Sequence, residues 1–317
     1  MYHYVRDLPR TRYPRIKGLL SADFYGQLDY IQRHYQVVGL PEVIAAALRE
    51  ESLPPNAALL TFDDGYADHY QTVLPALVRR GLTGAFFPPV ASVERGTVLI
   101  ENKIHFVLAT TEIGALLKDV FEALDRERQD GAYPSNRELF DRLAKPSRYD
   151  SAEVMFVKNV LQNGVPQHAC TKIASRLFAK YVSSDEAAFS RELYVTTDQL
   201  REMLHAGMYV GAHGVNHVRL GAIPRSEQVE EVDGSLAFLD RLGVDGRDWA
   251  MCYPHGSYNA ELLELLRDRD CALGLTVKPE LAGLNRGNAL TLERLDTNDL
   301  PRSGDAVPVS WTQRVTA

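Results

Sequence analysis

Short apolar runs rich in β-branched and aromatic residues recur along the chain, and they alternate with longer segments of helical period. MYHYV, YQVVGL, AALLTF and TGAFFPP are the first four such runs. The amphipathic SADFYGQLDYIQRHY separates the first two, and TVLPALVRRG, from about Thr72, reads as a helix between the last two. Pro75 falls in the first turn of that helix, where no ladder donor is required, and Gly81 supplies its stop. Strand, helix and strand in this order imply parallel pairing.

The alternation resumes late in the chain. Thr196 and Gln199 have capping-box spacing ahead of LREMLHAG, a helix closed by Gly207. MYVGA follows as a strand, then SEQVEEVDGSLAFLDRLG as a long helix with Val229, Val232, Leu236 and Leu239 on one face. WAMCYP, CALGLTV and LTLERLD read as strands, with the helix AELLELLRDRD between the first two. Seven or eight strands alternating with helices predict an α/β fold, a (β/α) barrel rather than a sandwich. Between about 91 and 191 the alternation lapses into helical segments and charged connectors. The expectation is one barrel domain over 1–301, with a helical insertion at about 91–191 over the C-terminal face of the strands. Residues 302–317 have little periodicity and are expected to form a loose tail.

Composition narrows the function classes. The 317 residues are 45% hydrophobic and 24% charged, an ordinary globular balance. A net charge of -7 argues against a nucleic-acid or anionic-membrane partner. Cys170, Cys252 and Cys271 lie far apart without a C-x-x-C pair, which suggests free thiols in a reducing compartment. MYHYVRDLPRTRYPR lacks the apolar core of a signal peptide, and no integral membrane segment is visible, so the expected localisation is cytoplasmic.

The chemistry is concentrated in two stretches. AALLTFDDGYADHY runs from a buried strand into two adjacent carboxylates, Asp63 and Asp64, whose mutual repulsion needs a solvated loop, a cation or a shared proton. VGAHGVNHVRLG places His213 and His217 four apart, directly after a strand. A H-x-x-x-H pair presents two imidazoles to one metal if the residues between them make roughly a turn. Asp64, His213 and His217 all fall at C-terminal strand ends, so a barrel would bring them to one face. Two imidazoles and one carboxylate suit Zn²⁺ or a similar divalent ion, and that cation makes the second carboxylate tolerable.

TFDDG, the downstream H-x-x-x-H and YPHG together resemble the NodB-type polysaccharide deacetylases of carbohydrate esterase family four. The resemblance covers about 1–90 and 194–301 and omits the insertion. It implies the distorted (β/α)7-type barrel of the NodB homology fold. It also implies a metal-dependent hydrolase that removes an N-acyl group, acetyl or formyl, from an amino sugar. On this resemblance Asp63 is the general base, Asp64, His213 and His217 hold one divalent ion (Zn, or Co, Ni, Mn or Fe), and a backbone N–H at His255 stabilises the oxyanion. Tyr253 and Pro254 of YPHG would line the substrate. MYHYV and RLDTNDLP are similar to segments of members acting on bacterial surface sugars, including those encoded in O-antigen clusters. The implied substrate is an amino sugar that is nucleotide-linked, lipid-linked or at a glycan terminus.

Three departures stand out. Gly214 follows the first histidine where the family usually has Ser or Thr, Cys252 takes the place of an arginine that pairs with the base, and no late L-x-H segment supplies a general acid. His255, His3 and His105 are candidates for the acid, and Arg294 for the missing cation. Glu101, Asn102 and Lys103 at the start of the insertion, and Asp296 after the last strand, are candidate substrate contacts. The competing reading is a barrel that binds metal and sugar without turnover, which release of acid from an N-acylated amino sugar would exclude.

Overall fold

The apolar runs become short strands whose ladders, among the described residues, are parallel, with one isolated antiparallel bridge between Tyr66 and Tyr194. The strands are β1 (Val5–Arg6), β2 (Leu19–Leu20), β3 (Gln36–Val37), β4 (Ala57–Ala58), β5 (Thr61–Asp63), β6 (Ala85–Phe87), β7 (Tyr209–Val210), β8 (Trp249–Cys252) and β9 (Cys271–Leu275). The structure, a computed structural model, describes residues 1–49, 51–128, 131–147 and 149–316. It divides into two compact units: Met1–Asp7, Gly18–Gly96 and Arg191–Ala317 form one, and Leu8–Lys17 with Thr97–Ser190 form the other.

In the first unit the strands occur as the pairs β1–β2 and β3–β4, the trio β5–β6–β7 and the pair β8–β9. Single parallel bridges continue the order, from Tyr2 to Phe62, from Ala212 to Met251 and from Leu275 to Leu292. The fold is therefore α/β as expected, but among the described residues no closed sheet forms. The predicted last strand LTLERLD contributes only the Leu292 bridge and isolated hydrogen bonds such as Arg294 N–H to the Lys278 carbonyl at 3.1 Å. Residues in β5, β6, β8 and β9 are buried without alternation, the pattern of parallel strands covered on both faces. Phe62 stacks on Tyr2 and Phe86 at centroid distances of 5.1 and 4.7 Å, so aromatic contacts reinforce the short ladders.

Local signals set the helix ends. Thr196 and Gln199 complete the predicted capping box of helix Thr197–His205, and Gly207 follows at φ 82°. The helix expected from Thr72 begins earlier, with a wide π turn over His69–Val73 leading into Leu74–Arg79. The tail expected to be loose forms the helix Ser310–Thr316, tied down because the buried Thr312 hydroxyl bonds Tyr30 and Tyr35 at 2.8 and 2.7 Å.

The second unit is helical, with Ile100–Thr110, Ile113–Glu127, Ala152–Asn159 and Gln167–Tyr181 burying residues that include Ile104, Val120, Phe156 and Ile173. It starts at Thr97 rather than 91, because the Val90 and Ala91 amides bond the Gly214 and Val215 carbonyls of the first unit. It also recruits Leu8–Lys17, where Arg15 donates to the Ala109 carbonyl at 2.7 Å. No helix among the described residues is long and apolar enough to cross a membrane.

Gly274 in β9 has no room for a side chain, because a Cβ would collide with the Leu290 carbonyl and the Tyr253 hydroxyl. Backbone cannot yield as a flexible side chain does, so Gly274→Ala is expected to cost about 1–3 kcal/mol. Thermal unfolding checks this: Tm should fall by several degrees. An unchanged Tm would mean that this junction can spread at no cost.

Candidate active site

The two carboxylates at the end of β5 part company through backbone geometry. Asp63 still belongs to the strand, its amide donating to the Tyr2 carbonyl at 2.9 Å. Asp64 turns left-handed at φ 73°, followed by Gly65 at φ 67°, while its amide reaches the Phe87 carbonyl at 3.0 Å. A non-glycine residue in that region is strained, and such strain recurs where a side chain must be aimed. Here it sends neighbouring acids to different partners.

Asp64 meets the histidine pair. Its Oδ1 lies 3.3 Å from His213 Nε2 and 3.2 Å from His217 Nε2, and Tyr66 donates its hydroxyl to Oδ2 at 2.7 Å. The three residues are buried, and their ligand atoms all lie within 4.8 Å of one another. His213 Nδ1 is 2.7 Å from the Cys252 carbonyl. A carbonyl only accepts, so Nδ1 carries the hydrogen, and in neutral imidazole Nε2 turns a lone pair toward Asp64. Burial lowers the His213 pKa against the opposing pull of Asp64, which disfavours the extra proton. Burial would raise the Asp64 pKa, but the imidazoles of His213 and His217 beside it take it well below the usual carboxylate range. A lone pair directed at an ionised carboxylate is what a divalent cation resolves. The donor set and the carbonyl-oriented imidazole therefore fit a metal ion.

Asp63 meets Arg294. The guanidinium is bidentate, Nη1 donating to Oδ1 at 2.9 Å and Nη2 to Oδ2 at 2.8 Å. Its remaining directions are also filled: Nε donates to the Thr276 carbonyl at 2.7 Å, Nη1 to Thr61 Oγ1 at 3.1 Å and Nη2 to Cys252 Sγ at 3.2 Å. Asp63 is 2% exposed and Arg294 7%. Burial pushes the Asp63 pKa up, but the charge and hydrogen bonds of Arg294 more than reverse this and hold the carboxyl ionised.

Other sequence-predicted residues distribute unevenly. His255 adopts φ 57° and its ring lies 4.7 Å from that of His217. Tyr253 is fully buried and its hydroxyl donates to the Leu290 carbonyl at 2.7 Å, so it is a packing residue and not a substrate contact. Pro254 is buried beside it. Asp296 caps the turn Thr297–Asp299 by accepting from the Asn298 amide at 2.9 Å. In the helical unit Asn102 is fully buried, and Lys103 is taken up by Ser175 and Glu186 at 2.9 and 2.8 Å, so neither offers a free face to a sugar. Glu101 and His105 lie on the same helix. His3 is half-buried in the first unit. The sequence reading missed Thr61 and Tyr66, whose signal was adjacency to the acidic pair, and the Cys252 and Thr276 carbonyls, which no side-chain pattern reveals.

Removing Arg294 would strand a buried carboxylate. Arg294→Met is expected to destabilise the protein by about 3–5 kcal/mol at neutral pH. The pair's contribution is complete above the unfolded carboxylate pKa of about 3.9 and declines as pH falls toward the depressed folded value. Denaturant unfolding should therefore show a gap between variant and wild type that is widest near neutrality and narrows in acid. A gap independent of pH would show that the stabilisation is packing alone.

Comparison with known proteins agrees with this geometry. Residues 167–273 match the family model described as Polysaccharide deacetylase. A Bacillus subtilis (strain 168) protein named "Putative polysaccharide deacetylase YxkH" is 26% identical over 94 residues, 30% of this chain and 33% of that protein. The match thus spans about a third of the relative's length. The Streptococcus pyogenes deacetylase PplD has a similar fold, with a TM-score of 0.56 at 18% identity over 93% of this chain and 88% of PplD. A de-N-acetylase from Aggregatibacter actinomycetemcomitans gives a TM-score of 0.54 at 16% identity, over 99% of this chain and 97% of that one. Residues 167–273 thus resemble the polysaccharide deacetylases in sequence, and the chain shares its fold with solved deacetylases.

Proposed function

We propose that this protein is a metal-dependent hydrolase that removes an N-acyl group from an amino sugar of a bacterial surface polysaccharide or its precursor. The observation that supports it most directly is the division of labour between adjacent carboxylates, one facing two imidazoles and the other held ionised by a buried arginine. The structure of PplD holds acetate, the acid that deacetylation would release. In this reading the site sits on a barrel of the NodB type and acts on O-antigen-like glycans made in the cytoplasm.

Asp64, His213 and His217 would hold the ion, Zn²⁺ or a similar divalent metal. When bound it supplies Lewis acidity, polarising an acyl carbonyl and lowering the pKa of water. Asp63 takes the proton from the attacking water onto a carboxylate oxygen, and Arg294 keeps that carboxylate ionised beforehand. His213 is oriented by the Cys252 carbonyl, so the residue that replaces the family's usual arginine still serves the site through its backbone. His255, beside His217, is the histidine of this group best placed to return a proton to the leaving amine.

Acid release from an N-acetylated or N-formylated amino-sugar panel tests the activity. Wild type should liberate the acid, and Asp63→Asn should lower kcat by about 10²–10⁴-fold. Turnover unaffected by Asp63→Asn would remove it as the base. Metal analysis tests the ligand assignment separately. The purified protein should carry about one divalent ion per chain, and His213→Ala or His217→Ala should lose most of it, since two remaining ligands bind weakly. Unchanged stoichiometry in both variants would place the ion elsewhere.

A further inference from the structure

The helix Arg225–Leu242 breaks two local rules on its buried side. Glu231 is a carboxylate 5% exposed in the helix interior, and Gly234, one turn on, costs about 1 kcal/mol of helix propensity relative to alanine. Both face the five-residue turn that carries the histidine pair. Glu231 Oε2 accepts from the Val215 and Asn216 amides at 2.6 and 3.0 Å, and Oε1 accepts from the Asn216 side-chain amide at 2.6 Å. A Cβ on Gly234 would lie 2.6 Å from Val215 Cγ2, so its absence lets the turn approach the helix. A Cβ on Gly214, at φ 71°, would lie 2.9 Å from Glu231 Oε2, so glycine there both permits the left-handed backbone and clears the carboxylate.

The turn is gripped from its other side as well. The Val90 and Ala91 amides donate to the Gly214 and Val215 carbonyls at 3.2 and 2.9 Å, and Arg95 donates to Asn216 Oδ1 at 3.0 Å. The clamp closes on the residues between His213 and His217, and His217 is itself held at φ 56°. A residue in that region reverts to ordinary backbone unless its surroundings over-determine it. Local rules broken together at one place mark a site where stability is given up for geometry.

We propose that Glu231 is a positioning residue for the metal: through Gly214, Val215 and Asn216 it sets the turn that points both imidazole Nε2 atoms at Asp64. This rests on the ligand assignment made above. In this role the carboxylate is not itself a ligand: it fixes the backbone between the two histidines, alongside the Cys252 carbonyl that orients His213 and the Val90, Ala91 and Arg95 contacts to the turn.

The test is metal affinity of the full chain, measured by chelator competition with Zn²⁺ and by the visible absorption of the Co²⁺-substituted protein. Glu231→Ala should weaken binding by about 10–100-fold and perturb the Co²⁺ spectrum. Glu231→Gln, which keeps the reach and an acceptor for the two backbone amides, should lose less than Glu231→Ala. Phe238→Ala on the same helix removes buried apolar area but none of the Glu231 hydrogen bonds to the turn, so it should lower Tm while leaving affinity and spectrum unchanged. Wild-type affinity in Glu231→Ala, or an equal loss in Phe238→Ala, would overturn the proposal. If Glu231→Ala does not fold, Glu231→Gln decides: an unaltered affinity and spectrum would overturn the proposal, and a partial loss with the Phe238→Ala control intact would support it. Absence of metal from the wild type would instead refute the ligand assignment.

Discussion

Two neighbouring carboxylates buried at one strand end set the main constraint on this fold. Both Asp63 and Asp64 are buried, which costs each its solvation, and their charges oppose each other. A left-handed backbone at Asp64 resolves the conflict by giving each its own environment, a guanidinium for one and two imidazoles with a tyrosine hydroxyl for the other. Each choice pulls a distant segment into place. Arg294 comes from 231 positions away and ties the last extended segment to β5, where regular strand pairing does not close the sheet.

The energetic balance of that tie is conditional. A buried ion pair loses several kcal/mol per ion in desolvation, and its attraction offsets this only when the geometry is good and the remaining donors are satisfied. Arg294 meets both conditions, with two parallel bonds to Asp63 and the rest of its N–H groups directed at Thr276, Thr61 and Cys252. The pair therefore constrains more than it stabilises. It fixes which oxygen faces which nitrogen and keeps the carboxylate charged in an apolar setting.

Glycines and left-handed residues do comparable work around the histidines. Gly214 and Gly234 remove side chains where the turn and a helix must approach, and His217 and His255 accept positive φ beside each other. These positions run against local propensity, whereas the strands and most helices follow it. Asn56, Asp248 and Asp270 also take positive φ away from the site, but at Asp64, His217 and His255 the left-handed backbone aims a side chain of the site.

Reading by residue type and period succeeded where the signal is local. The acidic pair after a buried run, the H-x-x-x-H spacing, the Thr196–Gln199 capping box and the glycine stops are each contained in a few consecutive residues, and the structure has them where the sequence puts them. The long helix was recognisable from Val232 and Leu239, but its period concealed that Gln228, Glu231 and Ser235 are buried too. Their partners lie on other segments, and hydrophobic periodicity carries no information about which polar group will be satisfied by a distant one. The same reason explains Tyr253 and Lys103, which look available as sequence but are consumed by Leu290 and by Ser175 with Glu186. It also explains Leu8–Lys17 joining the helical unit and the ordered helix at the C-terminal end. The sequence by itself determined the α/β alternation and the residue types at the strand ends, because those follow from short-range sterics and burial. Only the tertiary structure decided how the buried acids meet their partners, the two-point grip of Arg294 on Asp63 and the Tyr66 hydroxyl on Asp64, because such geometry depends on which backbone segments arrive within about 3 Å of a buried charge.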